Sequence, residues 1–396
     1  MNFAWRILAL AAFAVFAPAA AFADQPKISD LVDELRGIQF KVAQGDKAAY
    51  PAEVNQLKTI GAAIATAGPE TWKTKREADS LIIYILSGGS LADVGLLLKG
   101  DAVLESERSL ARGALAYVTS HEADAIALLE KTDLTALDAR LAGEMAFARS
   151  VLETKRDAKA AVSLLDWARL VSPGGLVEEA ALRREIALLA EAKDMSRLAV
   201  LTRQYVTRFG ASLYAADFLR DLAGAVARLG LADEPANYKL LSSALAALPP
   251  DGRREFLLNF AESGVVSGRF VAAASAATEA LESSKADSPE AMRARLYLAA
   301  SRLFSDAYDA ALADLRALSA AKFDRADASL LAAARRVAAE LRVIPDQSVF
   351  NTQNVVALPD ADKSKPSGPE LTIAQAKDAL QRTSSLAPPT QIGGSP

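Results

Sequence analysis

The side chains able to do chemistry are few in this chain, and none has the neighbours that a reaction needs. His121 is the single histidine, and there is no cysteine, which excludes a thiolate nucleophile, a disulfide, a cysteine-bound cluster and a multi-histidine metal site. A catalytic His121 would need a serine nucleophile and a supporting carboxylate, but the chain contains no Gly-x-Ser-x-Gly segment. We therefore expect a surface or capping role for His121, with Thr119 or Ser120 capping the following helix.

Three Glu-Ser pairs, which begin at Glu105, Glu262 and Glu282, invite comparison with soluble lytic transglycosylases. In those helical, alanine-rich enzymes a glutamate followed by serine acts on peptidoglycan. None of the pairs here is followed by a Gly-Leu-Met-Gln-type segment, and aromatic residues make up only 6% of the chain, too few for a sugar-stacking groove. Gly88-Gly89 and Gly174-Gly175 lack the Lys-Ser/Thr of a phosphate loop and are expected to end helices. We predict no catalytic residue, cofactor, metal or small-molecule substrate.

The charge balance argues against partners that bind through a strong electrostatic field. The chain carries 45 basic and 49 acidic residues, a formal net charge of −4, so it has no global attraction for nucleic acid or anionic lipid. Basic pairs such as Arg183-Arg184 and Arg335-Arg336 have acidic residues nearby and are interpreted as solvated helix faces. No nucleic-acid partner is expected.

The first 23 residues have the pattern of a secretory signal peptide. Arg6 supplies the positive charge, Ile7 to Phe16 is an uninterrupted apolar stretch, and Ala21-Phe22-Ala23 is a small-x-small cleavage site. An uncleaved membrane anchor is the less favoured alternative, because the apolar stretch is short for a span of about 20 residues. We expect cleavage after Ala23 and a mature chain in the bacterial periplasm, or else secreted.

The composition predicts an all-α fold. Alanine accounts for 85 of the 396 residues and has the highest helix propensity, whereas the runs of Val, Ile, Thr and aromatics that build sheets are missing. Val54, Leu57, Ile60 and Ile64 fall on one predicted helix face. The apolar run from Leu81 to Leu86 has the content of a strand, but its helical neighbours favour a buried helix.

The middle of the chain repeats with a period near 36 residues. Leu129, Leu165 and Leu201 are 36 residues apart, and segments 122–156, 157–193 and 194–230 each have the pattern of a short helix, a loop and a second helix. A later pair aligns Phe270 with Tyr308, 38 residues on. This spacing favours a tetratricopeptide-like helical-hairpin solenoid. An irregular α-superhelix or bundle with coincident helix lengths is the alternative.

These patterns divide the chain into four parts. A signal peptide (1–23) precedes an N-terminal helical region (24–118), a helical repeat region (119–344) and a Pro/Ser-rich tail (345–396). The tail holds 7 of the 16 prolines and is predicted to be disordered, because it cannot bury enough apolar surface to offset its conformational entropy. Within it, residues 371–380 have the pattern of a short amphipathic helix, which would either dock onto a partner or form only transiently.

Two stretches of the N-terminal region carry a resemblance to a known family. Residues Leu35 to Ala49 are LRGIQFKVAQGDKAA, residues Leu81 to Gly89 are LIIYILSGG, and Trp72 lies between them. This layout resembles the MotC family of periplasmic motility proteins from flagellated rhizobia and related α-proteobacteria. The resemblance implies a non-enzymatic component of the flagellar motor that binds the periplasmic part of the stator protein MotB and is required for flagellar rotation, motility and chemotaxis. A dedicated periplasmic chaperone is a further candidate partner.

Two alternatives stay open at the level of sequence. Trp72 is the candidate partner-binding residue, since tryptophan is enriched at interface hot spots, but a buried anchor within its own fold is the favoured interpretation. For the whole chain, the alternative function is a periplasmic tetratricopeptide-like adaptor for cell-envelope or polysaccharide assembly. Both functions would use an extended helical surface to hold another protein.

Overall fold

Helices are the regular elements of this chain. The computed structural model describes residues 27–341, in which there are seventeen α-helices, four short 3-10 helices and no strand. The α-helices are α1 (Ile28–Ala43), α2 (Ala49–Thr66), α3 (Lys75–Leu86), α4 (Ala92–Leu97), α5 (Glu105–Val118), α6 (Glu122–Leu129), α7 (Ala139–Glu153), α8 (Ala158–Val171), α9 (Leu176–Glu191), α10 (Met195–Phe209), α11 (Ala215–Arg228), α12 (Pro235–Ala244), α13 (Pro250–Val266), α14 (Phe270–Glu282), α15 (Pro289–Arg302), α16 (Tyr308–Ala317) and α17 (Arg325–Leu341). The 3-10 helices are Pro69–Lys73, Leu134–Ala136, Leu245–Ala247 and Leu318–Ala320.

The all-α prediction is confirmed within these residues. The predicted signal peptide (1–23), the tail (345–396) and its amphipathic segment (371–380) lie outside the described residues. Among the helices described, none is long and apolar enough to cross a membrane.

The repeat predicted from sequence is present as a series of helical hairpins. The twelve helices from α6 to α17 form six successive pairs, whose first helices begin 36, 37, 40, 35 and 38 residues apart. Each of the three segments predicted to hold a helix pair does so, as α6–α7, α8–α9 and α10–α11. Second helices of successive pairs pack on each other, α7 on α9, α9 on α11, α11 on α13 and α13 on α15. This is the arrangement of a helical-hairpin solenoid.

The 36-residue period arises because equivalent positions are buried in each hairpin. Leu129 and Leu165 are fully buried, and Leu201 is 5% exposed. Phe270 and Tyr308 are the first residues of α14 and α16, so their alignment marks the start of two equivalent helices. Leucine therefore recurs in the sequence because the position that it occupies is buried in each hairpin.

Local signals in the sequence set the ends of the repeat helices. The side chain of Asp157 accepts hydrogen bonds from the backbone N–H groups of Lys159 and Ala160 and so caps the start of α8. Between α8 and α9, Gly174 has a φ of +87°, a backbone conformation that favours glycine. The pair is expected from the sequence to end a helix, but α8 already ends at Val171 with Ser172 as its C-cap residue, and Gly175 is the N-cap residue of α9, so the two glycines form the turn between the helices.

The N-terminal region is built around α3. Leu81, Ile82, Ile83 and Ile85 are fully buried, because α3 packs against α1, α5 and α7 at once. The apolar run that has the content of a strand is therefore a helix covered on all sides.

The helix predicted from Val54, Leu57, Ile60 and Ile64 is present as α2, but not every residue of the apolar pattern is buried. Val54 is 39% exposed, whereas Gln56 is buried. Gln56 is accommodated because its Nε2 donates to the carbonyl oxygen of Leu31 at 2.9 Å. Because its amide has a backbone partner, the polar side chain of Gln56 is buried, whereas the apolar Val54 faces solvent.

The α1–α2 hairpin folds back onto the repeats. Asp33 on α1 forms an ion pair with Arg140 at the start of α7, at 3.0 Å. The turn after α1 reaches the turn between α10 and α11, where Gly45 lies so close to Ala211 that a Cβ atom would overlap its carbonyl oxygen. Gly45 also has a φ of +88°, so this close approach requires glycine. The N-terminal region is thereby fixed to the first three hairpins.

Candidate functional site

His121 lies at the surface, as expected, but the capping residue differs from the prediction. The N-cap position of α6 is His121 itself, and its side chain forms no capping hydrogen bond. Thr119 Oγ1 lies 2.9 Å from His121 Nδ1, and Ser120 occupies the turn with a φ of +61°. Neither Thr119 nor Ser120 caps the helix, because the chain turns one residue later than the pattern suggested. No carboxylate bonds to His121 within the described residues, so it lacks the partners of a catalytic base.

Trp72 is packed inside the N-terminal region. Its side chain is 1% exposed, and it belongs to the core cluster that also contains Ile60 and Ile82. Its backbone carbonyl accepts a hydrogen bond from the N–H of Leu104 at 2.9 Å. In this fold Trp72 serves as an anchor, and an exposed partner-binding surface has to be sought elsewhere.

The Glu-Ser pairs are on three separate helices. Glu105 begins α5 and is almost fully exposed, Glu262 lies in the last third of α13, and Glu282 ends α14. The described residues contain no cluster of three or more His, Asp or Glu side chains that would hold a metal ion. The fold does not bring these glutamates together into a shared site.

Buried carboxylates in the repeats serve to join neighbouring hairpins. Glu185 on α9 is fully buried and binds Arg169 of α8 at 2.6 Å and Arg197 of α10 at 2.7 Å. Burial raises the pKa of Glu185, and the hydrogen bond from Arg169 opposes that rise. On the same helix, Glu179 accepts a hydrogen bond from Tyr205 Oη at 3.0 Å. The charge of Glu185 is thus paired within the fold, and one oxygen of Glu179 is held by a neutral hydroxyl.

A similar pairing recurs in the later hairpins. The hydroxyl of Tyr297 on α15 donates to Asp327 on α17 at 2.6 Å, and Arg293 lies 3.3 Å from the same carboxylate. Burial, together with the hydrogen bond to Asp327, raises the pKa of Tyr297 well above its ordinary value. The tyrosine therefore stays protonated and acts as a donor that holds α17 against α15.

A groove of about 930 Å³ runs along the outer side of α14. One wall is a face of α14 whose residues recur at helical spacing, namely Val271, Ala274, Ser275, Thr278 and Glu282. The opposite wall is formed by the end of α15 and the turn that follows, including Arg302 and Phe304. We call this cavity the α14 groove.

One end of the α14 groove is apolar and exposed. Phe270 and Phe304 stack there with ring centroids 4.9 Å apart. Phe304 is 56% exposed and Val271 is 73% exposed. Exposed apolar side chains that gather beside a groove are typical of protein interaction sites.

The two ends of the α14 groove differ in charge. Glu282, the last residue of α14, is exposed and forms no ion pair within the described residues. Arg302 is likewise without an ion pair there, and it lies at the Phe304 end. In contrast, Glu279, one turn before Glu282 on α14, is bound by Arg253 and by Tyr238 Oη. The groove therefore offers one free carboxylate and one free guanidinium, at opposite ends.

Sequence reasoning found only part of this groove. The repeat alignment singled out Phe270, because it occupies an equivalent position to Tyr308. Nothing local marks Phe304 as exposed, since its surroundings are set by α14 and α15 together. The sequence offers one signal for Phe304. It is an aromatic residue just after the end of a helix, two residues beyond the basic residue Arg302.

A stack of helical hairpins with an exposed apolar groove is the architecture of a helical repeat protein. The family described as "Chemotaxis protein MotC" matches residues 1–390. The chain belongs to the MotC family.

Two individual proteins are similar to this chain. A curated protein named "Chemotaxis protein MotC" from Rhizobium meliloti (strain 1021) is 26% identical over 312 residues, which is 78% of this chain and 70% of the relative. The crystal structure of the P58(IPK) TPR domain covers 80% of this chain and 95% of that domain, at 16% identity and a TM-score of 0.24. The sequence relationship indicates a motility-related protein, and the family together with the all-α fold points to a non-catalytic one.

Proposed function

We propose that this chain is a non-enzymatic component of the flagellar motor that acts in the periplasm. In this proposal it binds the periplasmic part of the stator protein MotB and is required for flagellar rotation, motility and chemotaxis. The observation that carries the proposal is the family match over residues 1–390, with its chemotaxis description. The signal-peptide pattern of residues 1–23 supports the location.

The fold supports a binding role in physical terms. Successive hairpins present a long surface with many small contacts, which suits another protein better than a small reactive molecule. The α14 groove adds exposed apolar residues, among them Val271 and Phe304, that would lose contact with water on binding. Binding of this kind changes a partner's activity when the chain has higher affinity for one of the partner's conformations than for another. A stator held in its rotation-competent state is the outcome that we propose.

Co-purification tests the binding step. The mature chain from Asp24 onward is mixed with the purified periplasmic region of MotB from the same organism, and the mixture is examined by size-exclusion chromatography and titration calorimetry. A saturable complex of fixed stoichiometry is expected. Two proteins that elute separately and release no binding heat would contradict the proposal, provided that circular dichroism shows both to be folded.

A further inference from the structure

The exposed face of α14 has the length and the short side chains needed to pack against one helix. From Val271 to Glu282 the face spans twelve residues, a rise of about 16 Å or three helical turns. Its middle carries only short side chains, Ala274, Ser275 and Thr278. Helix axes approach to about 8–10 Å, at the near end where the contact residues are small. The groove is therefore shaped for a helix of about three turns lying along α14.

The apolar end of the α14 groove determines which side chains such a helix must carry. Phe304 and Val271 are both more than half exposed, and Phe304 is held in place by stacking on Phe270 at 4.9 Å. A large aliphatic or aromatic side chain placed against them would remove their apolar surface from water. The bound helix must therefore be amphipathic, with its large apolar residues toward this end.

The unpaired charges specify a direction. Helix N-termini carry partial positive charge and C-termini partial negative charge. Glu282 at one end of the α14 groove would pair with an incoming N-terminus, and Arg302 at the other end would pair with an incoming C-terminus. Glu282 is the last residue of α14, and Arg302 lies beside Phe304 near Phe270, the first residue of α14. The incoming helix would therefore begin where α14 ends and end where α14 begins, which makes it antiparallel to α14.

From this geometry we propose that the α14 groove binds an amphipathic helix of MotB's periplasmic region, antiparallel to α14. The helix places a large apolar side chain between Val271 and Phe304, its first turn at Glu282 and its last turn at Arg302. This inference rests on the proposed function for the partner's identity, and on the groove alone for the site and the direction.

Affinity measurements on four matched proteins test the site. Calorimetric titration of the MotB periplasmic region is carried out with the wild-type mature chain, Val271→Asp, Glu282→Lys and Val200→Asp. Val271 is at the second position of α14, where an aspartate is compatible with the helix, so Val271→Asp is expected to stay folded. Val200 on α10 is 65% exposed and outside the groove, which makes Val200→Asp a control for the same change elsewhere. Melting temperatures confirm that each variant is folded.

The expected affinities differ clearly among the variants. Val271→Asp should weaken binding about tenfold or more, because it places a charge against the large apolar side chain that anchors the bound helix. Glu282→Lys should weaken it about threefold or more, since it reverses the charge facing a helix N-terminus. Val200→Asp should bind within about twofold of wild type. If the wild type binds and both groove variants bind equally well, the groove is not the site although the proposed function stands. If the wild type itself does not bind, the proposed function fails.

Cross-linking tests the direction independently. The chain has no cysteine, so Ser283→Cys and Ser305→Cys each introduce a single attachment point for a thiol-linked photoreactive benzophenone. Mass spectrometry of the cross-linked MotB peptides should find the beginning of one helix near Ser283→Cys and the end of the same helix near Ser305→Cys. The reverse order, or cross-links to a segment without helical structure, would overturn the antiparallel arrangement.

Discussion

Phe270 and Phe304 stack 4.9 Å apart with their ring planes 23° from parallel, although 34 positions of sequence separate them. Phe270 starts α14, and Phe304 follows the end of α15. The pair therefore joins the two ends of one hairpin and leaves Phe304 56% exposed. This contact creates the apolar end of the α14 groove and makes hairpin α14–α15 the part of the molecule with the clearest binding surface.

The burial of Trp72 gives a first prediction. Trp72→Ala should lower the free energy of unfolding by about 3–5 kcal/mol, because it removes a large side chain from a closed core. Urea denaturation followed by circular dichroism measures the change. Phe304→Ala is the control, and its cost should be clearly smaller because Phe304 is already half exposed. Equal costs for the two variants would contradict the anchor role of Trp72.

Glu185 gives a second prediction about how hairpins are joined. Its carboxylate is fully buried between Arg169 and Arg197. Glu185→Ala should destabilise the fold by about 2–3 kcal/mol, because it removes two buried hydrogen bonds between charged groups, although both arginines keep their contact with Asp166. Asp166→Ala is the matched control, since the half-exposed Asp166 contacts the same two arginines and should contribute about 1 kcal/mol or less. Thermal and urea unfolding of both variants would show whether burial decides the difference.

Glu144 on α7 gives a prediction for pH dependence. Burial raises the pKa of Glu144 to about 7, and the nearby Arg36 only partly opposes this. A carboxyl whose folded-state pKa is raised binds its proton more tightly in the folded state. Its stabilising contribution is full below the unfolded pKa of about 4.3 and is lost as the pH rises through 7.

The variant Glu144→Gln isolates this contribution. The stability of the wild type relative to Glu144→Gln should fall between pH 5 and pH 8, as measured by urea unfolding at closely spaced pH values. Glu105→Gln, at an exposed position, should show no such trend. A relative stability that is flat or rises with pH would show that Glu144 is not protonated in the folded chain near neutral pH.

The contribution of Asp79 to stability should change with pH in the same direction as that of Glu144. Burial, together with the neighbouring Glu107, raises the pKa of Asp79 to about 6, while Lys75 at 3.3 Å opposes the rise. The stability of the wild type relative to Asp79→Asn should therefore decline as the pH increases from 5 to 7. Nuclear magnetic resonance titration of the Asp79 carboxyl carbon provides a direct check, and a midpoint near 4 would contradict the assignment.

The predicted signal peptide gives a test of location. Because residues 1–23 have the features of a secreted precursor, osmotic-shock fluid should contain a mature chain that begins at Asp24. N-terminal sequencing or mass spectrometry of that chain reads its first residue. An intact chain recovered from the cytoplasm would contradict the periplasmic proposal.

The sequence predicts structure well where equivalent positions are buried in successive hairpins. It does not predict the burial of a residue whose position depends on contacts with other helices. Leu129, Leu165 and Leu201 revealed the hairpins because each occupies an equivalent buried site. Gln56 could not be predicted inside, since its position depends on a hydrogen bond to the backbone of another helix. Trp72 lies in a polar stretch, and only the 3-10 helix Pro69–Lys73 turns it into the core.

The candidate site was harder to predict than the fold. Apolar periodicity reports which residues face inward, whereas the α14 groove consists of residues that face outward. The exposure of Phe304 and the separation of Glu282 from Arg302 follow from how α14 and α15 are placed. Those relationships arise only once the hairpins are stacked.

The central claim is that this chain acts on the stator, and one measurement tests it most directly. Rotation of tethered cells is recorded together with filament counts in an in-frame deletion strain, complemented with either the wild-type chain or Val271→Asp. We predict that the deletion strain keeps its filaments but does not rotate, that the wild type restores rotation and that Val271→Asp, produced at the same level, restores it poorly. A deletion strain that lacks filaments, or that rotates normally, would contradict the account.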